Sequence, residues 1–185
     1  MDEPPGCLNQ AIAELTDFFN HLDPTDRVRH PETRALLVAL AELLDRLQPA
    51  TLDRAGSYLE CDDETISASL VHAADEARNL AIVMFGDEAV VSYGEEHEHF
   101  RSDHVDELEQ VGPLATPGMV PKLVAFLEAL MTGRIELHVW NRPMWVRTRS
   151  YWINDAGTRE IFLRGGTLLP SLRWSGPRVR TFDFG

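Results

Sequence analysis

"NLAIVMFGDEAVVSYG", residues Asn79 to Gly94, decides the fold. Leu80–Phe85 is an almost continuous apolar run of strand length, the pattern of a central strand covered on both faces. Gly86, Asp87 and Glu88 follow as a tight hairpin signal, because glycine takes a positive φ without a steric penalty. Ala89–Tyr93 supplies the returning strand. Upstream, "TISASLVHA" (Thr65–Ala73) sets Ile66, Ala68 and Leu70 against Thr65, Ser67 and Ser69, which is the period of a half-buried strand. "ADEAR" (Ala74–Arg78) is the polar turn between them. Consecutive strands joined by short turns predict an antiparallel meander.

Before the meander the period is helical. "CLNQAIAELTDFFNHL" places Leu8, Ile12, Leu15, Phe19 and Leu22 three and four residues apart, predicting one helix to about Leu22. Asp23-Pro24 breaks it. A second helix starts at Pro31, where the missing amide hydrogen costs nothing, and ends before Pro49. Leu36, Leu37, Leu40, Leu43, Leu44 and Leu47 give it a broad apolar face.

After the meander, "MVPKLVAFLEALMTG" (Met119–Gly133) is a third helix stopped by its glycine. "RIELHVW", "MWVRTRSYWIN" and "REIFLRG" read as three more strands, and the tail after Gly166 as an extended wrap. The fold class expected is α+β: an N-terminal helical hairpin packed on an antiparallel β-meander of about six strands, with a third helix inserted. The 185 residues fit a single domain, 1–185, divided into a helical segment 1–55 and an α+β sheet region 56–185.

Thirty acidic residues against seventeen basic ones give a net charge of −13. Residues 1–133 hold 26 acids and 8 bases, a balance of −18, and residues 134–185 hold 4 acids and 9 bases, a balance of +5. Such a field favours basic protein partners and disfavours nucleic acid. Sixteen of the basic residues are arginine and one is Lys122, a codon effect of a high-GC, bacterial genome that carries no functional weight. Cys7 and Cys61 have no ligand spacing and read as reduced thiols. The N-terminus lacks the basic and apolar regions of a secretory signal, and no apolar run reaches membrane length, so a cytoplasmic location is expected.

"SYGEEHEHF" (Ser92–Phe100) concentrates chemistry. If the strand runs on through Gly94, then Tyr93, Glu95, His97 and His99 share one face and Glu96, Glu98 and Phe100 the other. His97 and His99 with His104 make a candidate metal site for zinc or another imidazole-favouring divalent transition metal, with Glu95 as base or supporting group. The competing reading is a solvated, acidic strand end. Glu95, Glu96, Glu98, Asp103, Asp106 and Glu107 then form a docking surface for a basic protein: residues 86–109 carry nine acids against Arg101 alone.

No phosphate-binding glycine loop, nucleophile elbow or metalloprotease motif occurs, and Cys61 sits among carboxylates that raise a thiol's pKa. No catalytic residue is therefore assigned. All four tryptophans, Trp140, Trp145, Trp152 and Trp174, fall in the last third with Arg142, Arg147 and Arg149 between them. That mixture suits a protein interface or single-stranded nucleic acid, against the ordinary alternative that the rings cover the core.

The order of helices, hairpin, a strand ending "VVSYGEEHEHF", a helix ending "LEALMTGRIEL" and a meander containing "VRTRSYWINDAG" resembles bacterial immunity-type proteins encoded beside polymorphic toxins. The likeness covers roughly residues 78–165 and rests on His97, His99, Phe100 and Gly133. It implies a non-enzymatic cytosolic binder without a cofactor that blocks a toxin domain. The metal-binding protein or metal-dependent enzyme is the alternative.

Overall fold

The computed structural model describes residues 5–22, 28–62, 65–101, 112–142, 145–167 and 175–185. Its described elements run α1 (Pro5–Leu15), β1 (His21–Leu22), α2 (Pro31–Leu47), β2 (Tyr58–Cys61), β3 (Thr65–Leu70), β4 (Leu80–Phe85), β5 (Glu88–Tyr93), β6 (Glu96–Arg101), α3 (Met119–Met131), β7 (Ile135–Arg142), β8 (Trp145–Ile153), β9 (Arg159–Thr167) and β10 (Ser175–Thr181). The protein is α+β, but its strands form two sheets. One has the order β1-β2-β3-β4-β5-β6 and the other β10-β7-β8-β9. The first is the expected meander with a parallel edge added, His21–Leu22 beside Tyr58–Leu59.

The expected first helix is too long. It stops at Leu15, a turn follows, and the Asn20 amide donates to the Ser57 carbonyl, which delivers His21 and Leu22 to the sheet edge. Phe18 and Phe19 are both buried at that turn. The tail differs as well. Instead of wrapping, it forms β10, antiparallel to β7, and then buries Phe182 and Phe184. By contrast α2 keeps its bounds: Pro31 opens it and Gln48 closes it in the left-handed conformation at φ 43°.

Strand register sorts the first sheet into rows. Leu59–Ala68–Ile82–Val91, Cys61–Ile66–Met84–Ala89–Phe100 and Leu70–Leu80–Tyr93 stand on its inner face, and all of them are buried. Leu36, Leu37, Leu40 and Leu44 of α2 and Leu123, Phe126, Leu127 and Leu130 of α3 belong to the same core. Arg46 of α2 joins Glu128 of α3 in a two-pronged ion pair, one prong at 3.0 Å.

β7 of the second sheet contributes Ile135, Leu137 and Val139 to that core, and Phe182, just past β10, joins them. Tyr93 is the junction. Its ring meets Phe126 and Phe182 edge-on at 5.5 and 5.6 Å between centroids. Its hydroxyl shares a 3.1 Å hydrogen bond with Ser150 of β8, and both residues are wholly buried.

The expectation that Leu80–Phe85 is covered on both faces is corrected. β4 is interior to its sheet, yet only Leu80, Ile82 and Met84 are buried, while Val83 and Phe85 are 45% and 65% exposed. The run was apolar on both faces, and only one face is used by the core.

Candidate functional site

The face opposite the core is open. Its rows are Tyr58–Ser69–Ala81–Ser92–His97, Glu60–Ser67–Val83–Val90–His99 and Thr65–Phe85–Glu88–Arg101. Tyr58, Val83 and Phe85 expose large apolar surface there. Small serines flank them, so these side chains stand proud of the sheet. Glu60, Glu88, His99 and Arg101 lie in the same rows and rim these apolar side chains.

The histidine motif lies at the edge of this face, with a corrected geometry. The chain does not run straight through Gly94. Gly94, at φ +58°, and Glu95 form a two-residue hairpin turn, and Tyr93 pairs with Glu96 across it. That turn puts Tyr93 in the core, so it does not share a face with His97 and His99. A side chain at position 94 would crowd Leu137 and Arg180 as well as occupy an unfavourable backbone region.

His97 and His99 do share the outer face, their rings 5.1 Å apart. Glu88 Oε1 accepts from His99 Nδ1 at 2.7 Å and from Arg101 at 3.0 Å. His99 first, and then Arg101, hold the Glu88 carboxyl below its ordinary range. Among the described residues no three His, Cys, Asp or Glu side chains converge as a metal-binding group. His104 lies outside the described residues, as do Asp103, Asp106 and Glu107.

The other three acidic residues expected to dock a partner, Glu95, Glu96 and Glu98, lie within the described residues. Glu96 and Glu98 fall on inner rows and are half-buried. The Thr148 hydroxyl donates to the Glu96 carboxylate, tying β6 to β8. Glu95 accepts from Arg180 at 2.7 Å. Glu95 and Glu96 thus bond across to the second sheet, and Glu95 stays exposed.

A second cluster occupies the outer face of the second sheet. Glu136 and His138 of β7 are two apart on a strand and so share that face, with Tyr151 opposite Glu136 and Arg149 opposite His138. Glu136 is buried, accepting from Arg159 Nε at 2.7 Å, from a terminal Arg159 nitrogen at 3.0 Å, and from His138 Nε2 at 3.1 Å. Arg159 first, against the cost of burial, and then His138 draw the Glu136 carboxyl below its ordinary range. The His138 ring lies 4.5 Å from Tyr151 and 5.8 Å from Trp140, and the Arg149 guanidinium stands 5.5 Å over Trp140.

Sequence reasoning missed Glu136, His138, Tyr151 and Arg159, although "ELHVW" and "RTRSY" carry the two-residue period that places Glu136, His138 and Trp140 together and Arg147, Arg149 and Tyr151 together. Trp152 is on the inner side, half-buried against the core, with Arg134 4.2 Å over its ring. The side chains of Trp145 and Trp174 lie outside what the structure describes.

In comparisons with known proteins, no family model, no curated protein and no solved structure matches this chain. No helix among the described residues is long and apolar enough to cross a membrane.

Proposed function

We propose that this chain is a non-enzymatic binding protein that neutralises a basic protein domain, on the pattern of the immunity-type proteins it resembles, and that the open face of the six-stranded sheet is its docking surface. The observation that carries the reading is the exposure of Phe85 at 65%, with Val83 and Tyr58 beside it, on a sheet whose opposite face is buried. Aromatic anchors surrounded by polar residues concentrate binding energy in protein interfaces. The balance of −18 over residues 1–133 supplies the complementary long-range field, which speeds capture of a basic partner.

The test is recovery of a stoichiometric basic partner from the native host by the wild-type chain, followed by growth rescue. Expression of that partner alone should arrest a heterologous host, and co-expression of the wild-type chain should relieve the arrest. A Phe85→Glu variant should fail at both steps. A basic partner that is not toxic, or whose toxicity the chain does not relieve, removes the neutralising role.

A metal site is the second reading, favoured by the 5.1 Å approach of His97 and His99 on one exposed face. Glu88 could serve as a further ligand or hold His99 in position. Zinc added to metal-free protein should then raise the melting temperature, and His97→Ala with His99→Ala should cancel the rise, since a ligand stabilises only the state that binds it. No shift with zinc, together with no transition metal in protein purified without chelators, removes this reading.

A further inference from the structure

Six of the sixteen arginines are seen in ion pairs. Arg46, Arg78, Arg101, Arg134, Arg159 and Arg180 each meet a carboxylate. Arg147 and Arg149 meet none among the described residues. They sit two apart on β8, on the outer face of the four-stranded sheet, in the part of the chain whose balance is +5. Arg147 is exposed, and the buried Arg149 Nε donates to no acceptor there. Among the described residues of this face, the carboxylate beside them, Glu136, is already neutralised by Arg159.

Beside these two cations lie three rings in contact, Tyr151, His138 and Trp140, spanning two adjacent strands. Planar rings next to guanidinium groups that meet no carboxylate among the described residues, on one face of an antiparallel sheet, offer stacking surface and phosphate contacts together. A folded acidic protein would satisfy the arginines but would leave the rings without a planar partner. A duplex hides its base faces. A single strand presents both bases and phosphates.

We propose that the outer face of the β10-β7-β8-β9 sheet binds single-stranded nucleic acid, with Trp140 and Tyr151 stacking bases and Arg147 and Arg149 contacting phosphates. This site is separate from the open face of the first sheet and does not depend on the neutralising role. Sequence composition alone argues the other way, because a net charge of −13 repels polyanions. What changes the balance is segregation: repulsion from the acidic region is screened beyond a Debye length of about 8 Å at physiological salt, whereas contacts at the sheet face are direct.

The experiment is fluorescence anisotropy of labelled oligo(U) and oligo(dT), each of about twelve nucleotides, a length within single-strand site sizes, titrated with the full chain. Two phosphate contacts predict that affinity falls roughly sevenfold between about 50 and 200 mM salt. Arg147→Gln, on an exposed side chain, should lower the slope of log affinity against log salt by about 0.7. Trp140→Ala should weaken binding by roughly 5- to 150-fold, the range for loss of one stacked base. Melting temperatures within a few degrees of wild type keep both variants interpretable, and Tyr151→Phe, which preserves the ring, should bind as wild type. The proposal is overturned if neither oligonucleotide binds, or if both variants bind with unchanged affinity and salt slope. Equal binding of a duplex of the same length also overturns it, as does equal competition by a poly-glutamate peptide, which would assign the face to an acidic protein.

Discussion

Replacing Tyr93 by phenylalanine removes one oxygen atom from the junction of the two sheets and nothing else. The ring contacts to Phe126 and Phe182 survive, because they depend on the aromatic face and edge. The loss is the hydrogen bond to Ser150, and Ser150 is left wholly buried without that partner. A buried polar group deprived of its partner costs about 1–3 kcal/mol, more than the net worth of the bond itself. Ser150→Ala leaves the Tyr93 hydroxyl in the same position and should cost a similar amount. Making both changes removes donor and acceptor together, so the double variant should be less destabilised than the sum of the singles, by about 1 kcal/mol. Urea unfolding of all four proteins measures the cycle. Each kcal/mol also moves the melting temperature by roughly 2–4 °C in a chain of this size. Burial pushes the Tyr93 phenol pKa up, so the hydroxyl stays protonated and the cycle should not change between pH 7 and 9. Strict additivity, or a Tyr93→Phe cost below about 0.5 kcal/mol, would show that this bond does not couple the sheets.

Other expectations follow from the same contacts. Glu136 has a folded-state pKa below that of the unfolded chain, so its stabilising contribution is complete above the unfolded value of about 4.3 and is lost as pH falls through the lower folded value. Glu136→Gln should therefore flatten the acid limb of the stability–pH profile below that point; an unchanged limb would show that Arg159 and His138 do not hold the carboxylate. Glu96→Lys should lower the urea midpoint by displacing the Thr148 hydrogen bond and placing an ammonium on a half-buried inner row. A variant as stable as wild type but slower to associate would restore Glu96 to an outward docking role. Gly94→Ala should destabilise by more than about 1 kcal/mol, through the positive φ together with the contact to Leu137, and Gly86→Ala, with open space around it, by less.

Elements set by local chemistry were legible in the sequence. Pro31 and the left-handed turn before Pro49 bound α2, Gly133 at φ +68° follows the end of α3, and Gly86 at φ +61° turns β4 into β5. What could not be read was long-range. The way the two sheets are joined rests on Tyr93–Ser150, Glu96–Thr148 and Glu95–Arg180, pairs more than fifty residues apart. β10 hid behind Gly176 and Pro177, which break the two-residue period, and its register does shift between Ser175 and Arg178. The candidate site suffered from one turn: reading Gly94–Glu95 as strand rather than hairpin put Tyr93 on the histidine face, while Glu96, Glu98 and Phe100 do share the opposite face as expected. His97 and His99 were rightly placed together because their spacing is unaffected by where the turn begins. The outer position of Phe85 could not be told from an inner one, because an apolar run has no polar alternate to mark the solvent side.

The most direct measurement is the affinity of the captured basic partner for wild-type chain and for Phe85→Glu, by calorimetry, with melting temperatures taken in parallel. Phe85 is 65% exposed and belongs to no buried row, so the substitution should move the melting temperature by no more than a few degrees. As an interface anchor it should weaken binding by about 2 kcal/mol or more, close to 30-fold in the dissociation constant. An unchanged dissociation constant in a folded Phe85→Glu protein would place the partner elsewhere and contradict the open sheet face as the docking surface.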